Sequence, residues 1–167
     1  MKRLSLFFLS ALLLLALSSC GEAPGGSAAT ADMDDLQKTM LAADPTLVEN
    51  ITSITGSVDD AAHLFSYLSD LPYDKVENFL LSYSTKGAAD EVAVSAVKNP
   101  EDVGEAANSL RRHVDQRKQL FQQYGPAEAA RVEKAEIFTK DQYAVLLICD
   151  NSPAVKTAFE NFLPAAE

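Results

Sequence analysis

Residues 99–126 read NPEDVGEAANSLRRHVDQRKQLFQQYGP, and the fold follows from how this stretch is read. Asn99 offers an acceptor to the unpaired N–H groups of a helix start, and Pro100 suits the first helical position. Glu101 and Asp102 put negative charge where the helix dipole favours it. Val103, Ala107, Leu110, Val114, Arg117, Phe121 and Tyr124 then fall on one broad stripe, and Gly125-Pro126 ends the helix. Arg117 is the one charged residue on that stripe.

Strand signals flank this helix on both sides. Val76 to Ser84 is rich in apolar and aromatic residues, Lys86-Gly87-Ala88 supplies a turn, and Val92, Val94 and Ala96 alternate with smaller or outward-facing residues, which predicts a hairpin. After the helix, a short helix or turn over residues 126–133 leads to two extended runs, Glu136 to Thr139 and Tyr143 to Asp150, separated by Lys140-Asp141-Gln142. The second run is nearly all apolar, as in a strand covered on both faces or placed centrally. Asn151-Ser152-Pro153 caps a last helix carrying Val155, Phe159, Phe162 and Leu163.

Further toward the N-terminus, Met33, Leu36, Met40 and Leu41 are spaced as a helix. Asp44-Pro45 opens a second helix through Leu47, Val48, Ile51 and Ile54, and Ser57 with Asp60 opens a third that closes at Leu71-Pro72-Tyr73-Asp74. Helices, two strands, a long helix, two strands and a helix predict one α+β domain over residues 32–167. Its expected form is two layers, with a four-stranded, mainly antiparallel sheet packed against helices. There is no internal repeat.

The first residues have a different composition. Lys2 and Arg3 precede an apolar run from Leu4 to Leu17, broken only by serine, and small residues stand at Ser18 and Ser19. This is the pattern of a secretory signal over residues 1–19. Leu17-Ser18-Ser19-Cys20 resembles the lipobox of bacterial lipoproteins. That resemblance implies cleavage before Cys20 and a diacylglyceryl anchor on its sulfur, two acyl chains being enough for stable attachment where one is marginal. The alternative is an ordinary signal peptide with a cysteine at the cut. Residues 20–31, mostly Gly, Ala, Pro, Ser and Glu after Cys20 and without apolar periodicity, read as a flexible tether.

All 24 acidic residues follow Cys20 and two of the 14 basic ones precede it, so the mature charge is 12 minus 24, or −12. A chain this acidic is a poor partner for nucleic acid and anionic polymers. If acylation consumes the Cys20 sulfur, Cys149 has no disulfide partner and the exported domain must rely on its core.

The order of elements, with Ala89-Asp90-Glu91-Val92-Ala93-Val94 entering the second strand, the arginine-bearing helix Arg111 to Tyr124, Gly125-Pro126 and the Tyr143-to-Ile148 strand, resembles domain of unknown function 4358. This is a family of uncharacterised lipoproteins, mostly from Gram-positive anaerobes. The resemblance implies location and architecture and carries over no catalytic residue.

The residues themselves offer little for catalysis. Cys149 lies among aliphatic residues and reads as a small buried hydrophobe, and the serines form no nucleophile elbow. His63 and His113 are isolated, without an i, i+4 partner for a metal. The acidic pairs Asp34-Asp35, Asp59-Asp60, Asp90-Glu91 and Glu101-Asp102 do not fit a calcium loop, and three of them belong to helix starts. Asp90-Glu91 instead opens a strand, where acids are disfavoured, and Arg117 could reach across to it. Asp90, Glu91, Arg117 and Tyr124 thus form a candidate polar cluster, either a ligand pocket between helix and sheet or a structural ion pair. The expectation is a lipid-anchored, non-enzymatic binding or accessory module on the extracytoplasmic face of the cell membrane. Its partner would be an envelope protein or a small ligand, with no cofactor. The competing expectation is an envelope hydrolase using a carboxylate pair.

Overall fold

The computed structural model describes residues 30–47 and 51–163; the expected signal peptide, Cys20 and most of the tether lie outside them. Asp32 opens α1 (Met33–Ala42) by accepting from the backbone N–H of Asp34 and Asp35, both at 3.0 Å. The strands are β1 (Ile51–Thr55), β2 (Val76–Ser84), β3 (Glu91–Val97), β4 (Glu136–Lys140) and β5 (Tyr143–Ile148). The other helices are α2 (Ala61–Phe65), α3 (Val103–Tyr124), α4 (Pro126–Val132) and α5 (Ser152–Phe162). The long helix starts as read: Asn99 accepts from Glu101 N–H at 3.2 Å, and a 3₁₀ turn over Pro100–Asp102 leads into it.

The strands form one antiparallel sheet in the order β1-β2-β3-β5-β4. It has five strands where four were expected. The extra one is β1, in the stretch expected to continue a helix from Asp44-Pro45; among the described residues there, Pro45–Leu47 form a 3₁₀ turn and Ile51–Thr55 this strand. Four of the five β1 residues are β-branched, and such side chains lose freedom on a helix but fit a pleated sheet. A hydroxyl pair across the ladder, Ser53 Oγ to Ser82 Oγ at 2.7 Å, adds to the pairing.

Both faces of the sheet are covered, so the domain has three layers rather than the expected two. On one face Phe79, Leu81, Ala93, Val97, Leu146 and Ile148 meet Phe65 of α2, Ala106, Ala107 and Leu110 of α3, and Val132 of α4. On the other, Leu80, Val92, Val94, Val145 and Leu147 meet Met33, Leu36 and Met40 of α1 and Val155 and Phe159 of α5. Every residue of β3 is therefore buried, in place of the expected alternation with outward-facing positions. β5 is also buried throughout.

Asp44 joins α1 to α5. It accepts from Thr46 N–H and Oγ1 and, at 2.8 Å, from Asn151 N–H at the start of α5. Burial alone would push its carboxyl up, but these hydrogen bonds outweigh that and hold it below its ordinary value.

Leu146→Ala, at a fully buried position of β5, should cost about 2–5 kcal/mol in urea denaturation. Leu120→Ala, on the exposed part of α3, should lie within about 0.5 kcal/mol of wild type. Equal losses for the two would contradict the placement of the core.

Candidate functional site

Glu91 is the first residue of β3, and its side chain lies on the α3 side of the sheet with 1% exposure. A carboxylate buried this deeply requires partners. His113 and Arg117, one helical turn apart on α3, both supply them: His113 Nε2 is 2.7 Å from Glu91 Oε1, and Arg117 Nε is 3.0 Å from Oε2. Arg117 Nη2 also donates to Ala89 O at 3.1 Å, so one guanidinium holds both the strand's first carboxylate and the backbone leading into it. One turn further on, the Phe121 ring lies 5.3 Å from the guanidinium carbon, within cation–π range. Among the described residues the buried Arg117 Nε–H has no aligned acceptor, although Glu91 Oε2 is within ion-pair distance.

These three groups line a cavity of about 310 Å³ between α2, α3 and the first strands. Its other walls are Ile54, Leu64, Leu81, Tyr67 and Tyr83. The volume is at the lower end of the range for small-molecule sites, and the pairing of apolar walls with a few convergent polar groups is what such sites share. A smaller cavity of about 130 Å³ adjoins it through Tyr67 and His113. There Asp70 accepts from Ser109 Oγ at 2.5 Å and from Arg112 Nε at 2.8 Å. The Arg112 guanidinium, with help from Ser109, holds the Asp70 carboxyl down at about 2.

The cluster expected from sequence divides in three. Glu91 and Arg117 meet. Asp90 turns away to Arg131 of α4, which also reaches Asp150 at 3.2 Å. Burial pushes the Asp90 carboxyl up, Arg131 pulls it down, and the nearby Asp150 and Glu128 leave it above its ordinary value. Tyr124 stands 79% exposed, two turns beyond Arg117. His113 and Arg131 were missed as site residues. The spacing of His113 and Arg117 was the available signal for the first; Arg131 meets its acids across distant parts of the chain. Cys149 packs against the opposite face of the sheet from the cavity, and burial pushes its thiol up, away from the reactive thiolate.

A family model described as a domain of unknown function (DUF4358) matches residues 53–149, more than half of the chain, and the chain belongs to that family. The matched segment runs from β1 to the end of β5 and contains Glu91, His113 and Arg117. No curated protein and no solved structure gives a significant match.

Arg117→Ala should lower the melting temperature more than Arg112→Ala. Losing Arg117 strips a buried carboxylate of its guanidinium, a change of roughly 3–5 kcal/mol, whereas Arg112 is largely exposed. Equal melting temperatures would contradict the structural weight of the Glu91 pair. Asp70 gives a pH test. Its folded pKa is depressed from 3.8 to about 2, so its stabilisation is present above the ordinary value and lost as pH falls toward the lower one. Urea midpoints measured across that interval should fall less steeply in Asp70→Asn than in wild type. Parallel curves would exclude the linkage.

Proposed function

We propose that this protein is a membrane-tethered extracytoplasmic lipoprotein, anchored through Cys20, that acts as a non-enzymatic binding module at the cell envelope. The observation that carries the binding role is the convergence of Glu91, His113 and Arg117 on one end of an otherwise apolar cavity. The anchor is supported by the basic start, the apolar run and Leu17-Ser18-Ser19-Cys20. A holding role is favoured because the Glu91 carboxylate is already engaged by His113 and Arg117. The Cys149 thiol, the one nucleophile candidate noted from sequence, lies on the other face of the sheet.

Two measurements test this. Cys20→Ala should leave the membrane fraction or accumulate as precursor, and incorporation of labelled fatty acid should be lost; label persisting in the variant would overturn the anchor. Native mass spectrometry of intact protein taken from its own membranes in mild detergent should show a co-purifying small molecule. Leu64→Trp, which fills the cavity from a half-buried position, should lose it. Identical spectra for the two proteins would overturn the binding role.

A further inference from the structure

We infer that the Glu91 cavity takes a neutral amphiphile, an alkyl body ending in an uncharged group with a carbonyl or ether acceptor, and that the polar end sits against Arg117 and His113. This rests on the binding role proposed above and names the ligand class for the same site.

The polar end of the cavity sets the head group. Glu91 and Arg117 form a buried ion pair whose charges cancel. A ligand bringing a further unit charge would leave that charge unmatched beside a pair already balanced, whereas a neutral head adds none. The head must accept rather than donate, because the spare capacity is on the donor side. Arginine has five N–H donors and no acceptor; Glu91 and Ala89 O face the Nε and Nη2 of Arg117, and the residue lines the cavity. Glu91, by contrast, already faces His113 and Arg117.

The walls set the body. Ile54, Leu64 and Leu81 are aliphatic and line the cavity beside Tyr67, which is 62% exposed at its mouth. His113, Arg117, Leu120 and Tyr124 follow at spacings of four, three and four residues, so they share one face of α3. Leu120 and Tyr124 are both exposed and lie beyond the cavity lining.

The test compares three probes with the same tail on the intact protein: monooctanoylglycerol, octanoate and octylammonium, each below its micellar concentration, by calorimetry at one pH and ionic strength. Monooctanoylglycerol should bind at least about tenfold tighter than either ion. Arg117→Met should weaken it by about tenfold or more through loss of the donors. Leu64→Trp, which leaves the ion pair intact, should abolish binding with an unchanged circular dichroism spectrum, so the test survives if Arg117→Met does not fold. Tighter binding of either ion would overturn the neutral-head assignment while leaving the cavity a binding site. Equal binding of all three probes, or binding unaffected by Leu64→Trp, would overturn the ligand class. If no probe binds, the neutral-amphiphile inference fails, and the native mass spectra decide separately whether the cavity holds anything.

Discussion

Glu91 begins a strand that is buried along its whole length, and its carboxylate lies beneath α3 with almost no access to water. Such a group is stable only because α3 presents an imidazole and a guanidinium to it from one face, a turn apart. The requirement acts on both partners. It fixes how α3 is rotated over the sheet, since only one face of the helix can carry both groups inward. Through the Arg117 bond to Ala89 O it also fixes where the β2–β3 connection rejoins the sheet. The cavity inherits its polar end from this constraint and its apolar walls from the core around it.

A second constraint is the coverage of the sheet. An antiparallel sheet can leave one face to water, but here β3 and β5 are apolar on both sides, and α1 and α5 close the face that α3 does not. Asp44 makes this closure specific by fastening the end of α1 to the start of α5. The Asp90–Arg131 pair does the same at the other side, joining the β2–β3 connection to α4.

The parts of this architecture legible in the sequence are those with a local cause. Asn99-Pro100, Asn151 and Gly87 mark their helix starts and turn by capping chemistry and by the left-handed backbone at Gly87. The Tyr143-to-Ile148 run announces a doubly buried strand by its composition. The parts that were not legible depend on distance. Leu47, Val48, Ile51 and Ile54 have helical spacing, and only pairing with β2 makes a strand of Ile51–Thr55. Asp90 and Glu91 are adjacent in the chain, but they turn to different helices, so a pair read as one acidic feature serves two arginines. His113 looked isolated because its partner lies 22 residues away. Tyr124 fits the periodicity of α3 but is exposed at its last turn, beyond the part of the helix that covers the sheet among the described residues.

The backbone N–H of Ala31 donates to the Tyr143 hydroxyl at 2.9 Å, and Ala31 packs among the residues of the α1 and α5 face. The polypeptide therefore joins the globule on the side of the sheet away from the Glu91 cavity. With the lipid attachment proposed upstream of that point, the chain enters the domain on the face that takes no part in the cavity, so neither side's packing constrains the other.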